Sequence, residues 1–539
     1  MQTLRVTRSV GSASETMRRR KFLAMLAGTA LSACVSNTTL PEAPRTTPTT
    51  APQTTASDLW VIDVDRLSPG EQTLIITLQG LVNSQSPRIW ISGNGMNGLL
   101  LDQLRQGGTT VHEVNTAWEL LRQFASEVKG AVVCKLATSS LNVATSVCGL
   151  HQAVAIDESI LDQARSVGLR VLFDARSYDE RKAYNEFGYQ FAHGIVVEQT
   201  IEKNAHLRDY AVQQKAFTYF GLDPGTTTQI IRERGPDTLV YGWGGDEHNW
   251  VQTLSQGGGM GIAADWSRNL SALSKLHVPI STFPRRYPAP VQDGQRIVAF
   301  VMSDGDNIQW MGGGFVTDKG FWANPGRGTF NMTWEMAPVF AEVAPTVLNV
   351  FYDTASRGEF LDGFVTGPSG AGYVYHNYLP NRAAFAARTA QMLHESGMSV
   401  VSVLNSGGSM AQTAELLDRP EVLGVLYKDY APYNLEHGAI YWHSGKPSIS
   451  YRWLLWEPLS QNSPAGVAQA VEQMPARPTA DQGSYAIINV HAWSWKEIGG
   501  PMEAIKRTIS QLPPGTRVVT AEQLIILLRN NFGTRVPQS

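Results

Sequence analysis

Asp304, Asp306 and Asn307 stand within four residues, at the end of the apolar run Ile297 to Met302 in the stretch RIVAFVMSDGDNIQWMGGG, residues 296–314. Two carboxyl groups in one place can divide acid and base work. One stays protonated to assist a leaving oxygen, and the other is ionised to attack or to activate water, which is the chemistry of glycosidic bond hydrolysis. The run before them is β-branched and aromatic and reads as a strand buried on both faces, as in a parallel sheet covered by helices. In such folds the loops at the carboxyl ends of the strands carry the chemistry. Gly305 lets the chain turn between the acids, and a solvated Asp-Gly turn is the plainer reading of the same residues.

Other predicted strands end in reactive groups as well. Val350-Phe351-Tyr352 leads into Asp353, Leu426-Tyr427-Lys428 into Asp429, and Ile487 to Val490 into His491-Ala492-Trp493-Ser494-Trp495. A barrel of parallel strands would bring these loops to one mouth. Asp304 is expected as one member of a carboxyl pair, with its partner open among Asp306, Asp353 and Asp429. Eight of the fourteen tryptophans follow residue 296. An indole face is a flat apolar platform with one polar edge, which suits the C–H face of a sugar ring. Trp310 and Trp493 are expected at the mouth, Trp453 and Trp456 in the core.

The segment Gly367 to His376, GPSGAGYVYH, has glycines at alternate positions that permit unusual dihedrals and close backbone approach, and it would display Tyr373, Tyr375 and His376. It lacks the Lys-Ser/Thr pair of a phosphate loop, and no helix follows directly as a dinucleotide fold requires. No cofactor or metal site is called for. Asp246, Glu247 and His248 form another polar group at a predicted strand end, read here as scaffold loop residues.

The elements that must position these groups alternate regularly from Leu59 onward. Strands at 60–64, 88–91, 111–114, 131–135, 153–156 and 170–173 are interleaved with helices, the pattern of βαβ units and parallel sheets. His206 to Phe220 reads as one amphipathic helix ended by Gly221. The Pro-rich stretch 279–290 marks the main boundary. Beyond it, strands at 297–302, 346–352, 363–366, 399–404, 422–427, 448–455, 485–490 and 517–519 fit a (β/α) barrel. The expected fold is α/β, with several small amino-terminal α/β subdomains over residues 58–288 and a barrel-like catalytic domain over 289–535.

Composition bounds the function. With 43% hydrophobic and 17% charged residues the chain is an ordinary globular protein of more than one domain. Its formal charge is −3; without residues 1–33 it carries 38 basic and 46 acidic residues, or −8. An acidic protein has no electrostatic footprint for nucleic acid, and that class is rejected. Residues 1–34 read as an export signal: basic residues at 18–21, a short apolar core at 22–30, and Leu31-Ser32-Ala33-Cys34, which resembles a lipoprotein lipobox with Cys34 as the lipidated residue. Arg19-Arg20-Lys21-Phe22-Leu23 resembles a twin-arginine signal. Residues 35–57, rich in Thr and Pro, read as a tether. The protein is thus expected at a bacterial cell envelope, meeting the membrane only by a lipid anchor. Cys134 and Cys148 remain, either bonded or as buried thiols.

Gly370-Ala371-Gly372-Tyr373-Val374-Tyr375 resembles the signature of the GxGYxYP glycoside-hydrolase family, with His376 where the family's name has proline. Ser303 to Asn307, Ser444-Gly445-Lys446-Pro447, Val490 to Trp493 and Leu207-Arg208-Asp209-Tyr210 resemble further blocks of it, so the likeness spans Trp60 to Phe532. The resemblance implies a several-part α/β amino-terminal region, a barrel-like carboxyl-terminal domain and hydrolysis of a polysaccharide or oligosaccharide. It adds Lys446 to the substrate contacts Asn307, Trp310, Tyr373, Tyr375, His376, His491 and Trp493. Two other readings fit parts of the pattern: a metal-dependent polysaccharide deacetylase-like hydrolase, and a glycan-binding surface lipoprotein without catalysis. The first needs an Asp and two His on one metal, and the histidines here are scattered.

Overall fold

The computed structural model describes residues 57–457 and 459–533; the expected signal, lipobox Cys34 and tether up to residue 56, like the barrel domain's last two residues, lie outside them. Three small parallel sheets precede the barrel. The first has the order β2-β1-β3, with β1 Asp58–Ile62, β2 Ile89–Ile91 and β3 Thr110–Val114. The second is β5-β4-β6, with β4 Gly130–Cys134, β5 Ala153–Asp157 and β6 Val171–Asp174. The third is β10-β9-β7-β8, with β7 Ile195–Glu198, β8 Phe217–Tyr219, β9 Leu239–Gly242 and β10 Met260–Ala263.

The carboxyl-terminal half is a closed barrel of seven parallel strands. They are β11 Arg296–Met302, β12 Met332–Met336, β13 Asp362–Thr366, β14 Val400–Asn405, β15 Gly424–Asp429, β17 Lys446–Leu455 and β18 Tyr485–Val490. β11 pairs with β18 from Ile297↔Tyr485 to Met302↔Val490 and with β12 at Val301↔Thr333, which closes the ring. β16 Ile440–His443 forms an antiparallel hairpin with β17, and β19 Thr516–Val518 extends the start of β11. The period of two sorts the barrel's two faces. Val298, Phe300, Met302, Trp334, Val401, Val403, Tyr427 and Ile488 join the large core shared with the surrounding helices. Ile297, Ala299, Val301, Val365, Val400, Leu426 and Ile487 join a second core with Leu524, Ile525 and Leu528 of the helix Ala521–Phe532, which plugs the amino end of the barrel.

Three sequence expectations are corrected. The predicted strand 346–352 is the helix Pro345–Thr354, so Asp353 is an exposed helical residue and not a strand-end acid. Pro345 sits in the first turn, where its missing N–H costs nothing, and Val347, Leu348, Val350 and Phe351 are buried at helical spacing despite their strand-like chemistry. The second barrel strand is instead β12, whose sequence MTWEM carries a charge that hides its strand character. Finally, 206–220 is not one helix: Arg208–Gln214 ends at Lys215, which has a left-handed φ of 52°, and Phe217–Tyr219 is β8. The aromatic and β-branched FTY segment favours a strand once it finds partners.

The amino-terminal sheets are tied together by buried polar groups around this short helix. Arg208 is fully buried and donates to Asn142 Oδ1 at 2.8 Å, Thr145 Oγ1 at 3.0 Å and the Thr200 carbonyl at 3.0 Å. Burial pushes its pKa down to about 9. Asp209 accepts the Ser271 N–H at 2.9 Å, and Gln79 bonds Asn269 at 2.8 Å. Cys134 and Cys148 are buried free thiols, the Cys134 pKa pushed up to about 12 chiefly by burial. No described helix is long and apolar enough to cross a membrane. Arg208→Ala leaves buried acceptors unsatisfied on the helix Ser140–His151 and in the loop after β7, so a loss of about 3 kcal/mol or more of unfolding free energy is expected, read as a lower denaturant midpoint by circular dichroism.

Candidate active site

The alternation that fills the barrel interior turns polar toward the carboxyl ends of the strands. Glu335 of β12 and Lys428 of β15 point inward with side chains 0% and 4% exposed, and their Oε1 and Nζ atoms are 2.9 Å apart. Ser402 of β14 donates to the same Oε1 at 2.6 Å and lies 3.4 Å from the Tyr451 hydroxyl of β17. A charge removed from water is tolerated when it is paired and hydrogen-bonded, and Glu335 has both kinds of partner.

Glu335 also reaches the loop after β11. Its Oε2 accepts the backbone N–H of Asp304 at 3.1 Å. Asp304 itself sits at φ 69°, a left-handed conformation that Asp tolerates better than most residues. The next residue must be glycine: a Cβ on Gly305 would lie 1.7 Å from the Glu335 carbonyl oxygen. Gly367, after β13, is equally constrained, since its Cβ would lie 2.4 Å from the Asp306 nitrogen. The loop is therefore pressed between the ends of β12 and β13, and both aspartates are set by backbone packing.

The two acids have different surroundings. Asp304 Oδ1 accepts the Trp493 indole N–H at 3.0 Å and its Oδ2 accepts the Ser303 hydroxyl. The Asp306 carboxyl is held well above the usual carboxylate range, first by burial, then by the charges of Asp304 and Glu335, with Lys428 acting in the opposite direction. Trp493 is 43% exposed and packs on the half-buried Trp310, centroids 4.5 Å apart; Trp310 rests in turn on Phe315 and Phe321. His491 stacks on Trp456 at 3.8 Å and 9° and bonds Ser494 Oγ at 2.7 Å. Trp456, expected in the core, is thus half-buried at the end of β17, whereas Trp453 lies half-buried under the Arg452 guanidinium. Glu457 follows Trp456 and accepts the Trp495 N–H at 2.9 Å.

The structure therefore brings Asp304, Asp306, Trp310, His491 and Trp493 together, and leaves other expected residues elsewhere. Asp353 is on the outer helix. Asp429 is buried at the end of β15, but its Oδ1 is occupied by the Gly407 and Tyr430 N–H groups at 2.8 and 3.0 Å and its Oδ2 by the Tyr427 hydroxyl, so it braces a loop. Asn307 caps the short helix Ile308–Met311 by accepting the Trp310 N–H at 3.1 Å. Lys446 opens β17 at the opposite end of the barrel, where Nζ donates to the Arg419 carbonyl at 2.5 Å and burial pushes its pKa down to about 8.

Tyr373, Tyr375 and His376 are buried rather than displayed. Tyr373 exchanges both backbone hydrogen bonds with Gly261 of β10 at 2.8 and 3.1 Å, and its hydroxyl donates to Glu247 at 2.8 Å. Gly372 makes this seam possible, because its Cβ would approach the Met260 Cβ to 2.9 Å. Tyr375 N–H donates to Ser255, and His248 bonds Ser406 at 2.8 Å beside the Tyr375 and Tyr430 rings. His376 lies against Phe385, its imidazole kept neutral by burial with a pKa of about 3. This loop fastens the third sheet to the barrel.

Glu335, Lys428, Ser402 and Glu457 were missed from the sequence. For Glu457 the strand-end signal that pointed to Asp429 was available; for Glu335 and Lys428 only a charge inside an apolar strand marked the site. Family models described as the GxGYxYP first domain, second domain, third domain and "GxGYxYP putative glycoside hydrolase C-terminal domain" match residues 58–126, 128–191, 193–275 and 295–529. A solved structure described as a "putative hydrolase" from Bacteroides thetaiotaomicron VPI-5482 superposes with a TM-score of 0.79 at 25% identity, over 89% of this chain and 96% of that one. Comparison with curated proteins gives no match.

The buried pair makes a stability prediction. Lys428→Met strands the Glu335 carboxylate and is expected to cost about 3–5 kcal/mol. The double variant Glu335→Gln/Lys428→Met removes both charges and should recover part of that loss in urea unfolding; a double variant no more stable than the single one contradicts the pairing.

Proposed function

Because the chain belongs to the GxGYxYP family, we propose that it hydrolyses a glycosidic bond of a polysaccharide or oligosaccharide at the mouth of its barrel. The observation that carries this reading is the adjacency of Asp304 and Asp306 in unlike environments. Asp306 keeps its proton to higher pH and serves as the general acid toward the leaving oxygen. Asp304, whose two oxygens accept hydrogen bonds from Trp493 and Ser303, serves as the ionised partner that attacks the anomeric carbon or activates water. Glu335 positions Asp304 through its backbone and raises the Asp306 pKa through its charge. Trp493, supported by Trp310, offers a platform for the sugar ring, and His491 an imidazole for its hydroxyls.

The deacetylase-like alternative asks for an Asp and two His on one metal; among the described residues no three His, Cys, Asp or Glu side chains are grouped to hold one, and His491 is stacked on Trp456. The lipobox sequence supports placing the enzyme at the cell envelope through a lipid on Cys34, with the Thr/Pro-rich tether holding it off the membrane.

Hydrolysis across a panel of polysaccharides and aryl glycosides tests the assignment. Asp306→Asn is expected to lose about 10²–10⁴-fold in kcat on glycans, to keep glycan binding, and to be affected least on aryl glycosides whose leaving groups need no proton. Asp304→Asn should lose turnover on both. For the wild type, kcat/KM should fall as pH rises through the raised Asp306 pKa, and that alkaline limb should vanish in Asp306→Asn. A wild type that binds glycans and cleaves none across the panel sinks the proposal.

A further inference from the structure

Of the fourteen tryptophans, all within the described residues, only Trp493 and Trp266 are exposed, at 43% and 57%. Trp493 belongs to the barrel, whereas Trp266 follows β10 of the third amino-terminal sheet. Both are attached to one segment, residues 304–310. Trp493 bonds Asp304 and packs on Trp310, and the Trp266 backbone N–H donates to the side-chain oxygen of Gln309, the residue before Trp310.

Trp266 is exposed yet held in place. The Lys203 ammonium lies 4.4 Å from its ring centroid and pairs with Asp265, its chain neighbour. The His206 ring meets it edge-on at 5.0 Å and 72°. Arg268, two residues on, is bidentate to Asp65 at 2.6 and 2.9 Å. An indole left in water adds little to folding, and here several polar contacts fix one that buries less than half its surface. That is the arrangement of a pre-organised aromatic contact for a ligand, with little ordering cost on binding.

Resting on the glycan-hydrolase reading, we infer that Trp266 forms a second sugar-ring platform of the same cleft, so that the site takes an oligosaccharide reaching from Trp493 across Gln309 to Trp266. The amino-terminal region is then part of the substrate site, and chain length is a specificity determinant. A terminal monosaccharide contacts the barrel platform alone; a longer chain adds the second stacking contact.

A printed array of fragments of β-glucan, xylan, mannan, chitin, α-glucan and peptidoglycan identifies a bound glycan. Its chain-length series from disaccharide to hexasaccharide is then titrated calorimetrically into the full chain carrying Asp306→Asn, which slows turnover. With Trp266 intact, affinity should rise with length. Adding Trp266→Ala should weaken hexasaccharide binding about tenfold, as expected for one lost aromatic contact, and leave the disaccharide unchanged; Trp266→Phe should keep most of the gain. No loss at any length, an equal loss at every length, or a protein that binds no glycan on the array overturns the inference. Failure of the hydrolase reading is seen separately, as length-dependent binding to Trp266 with no cleavage by the protein that retains Asp306.

Discussion

The barrel mouth depends on a charge buried where barrels of this kind usually hold apolar side chains. Glu335 and Lys428 meet inside the ring at 2.9 Å with Ser402 bonded to the same oxygen. Such a pair gives little net stability, because the desolvation of both ions offsets their attraction. Its consequence is positional. The free Glu335 oxygen holds the Asp304 backbone, the Glu335 carbonyl leaves room for no side chain at residue 305, and the carboxylate acts on Asp306. One buried acid thus holds the place of the first aspartate and adds to the proton affinity of the second, which burial and Asp304 raise more.

The third amino-terminal sheet is fixed to this mouth from the other side. The glycine–tyrosine motif that carries the family resemblance makes the joint: Gly372 permits close approach, Tyr373 pairs with Gly261, and its hydroxyl reaches Glu247. The motif residues are therefore structural here, while the loop that contains them also presses Gly367 against Asp306. Docking of the sheet and shaping of the acid loop are two effects of one segment, which is a physical reason for such a stretch to be built from glycines and buried aromatics.

The acid loop carries costs that its surroundings must overcome. Asp304 adopts a left-handed conformation, and Asp306 is half-buried beside two further acids. Both features work against folding and both are of use to an acid–base pair, as expected where strain and perturbed proton affinity coincide. The tightly packed strands beneath, with Ile297, Ala299 and Val301 in the interior core, supply the compensating burial.

Residue order alone determined the periodic features. Strand and helix alternation located the first two amino-terminal sheets in outline and six of the seven ring strands, but not the third sheet, whose β8 reads as helix; the polar break after Met302 located the acid loop. Those signals are local, since they arise from each segment's own pattern of burial. Tertiary structure decided what depends on contacts distant in sequence. Pro345–Thr354 has strand-like residues, yet it packs as a helix and removes Asp353 from the site. Glu335, inside a strand that its charge disguised, gains its role from Lys428, 93 residues away. Lys446 and Tyr373 carry groups suited to a substrate, but strand direction puts the first at the wrong end of the barrel and docking buries the second. Chemistry-bearing side chains could be read from the sequence; which of them face one another is set by closure of the ring, and that is a property of the packed chain.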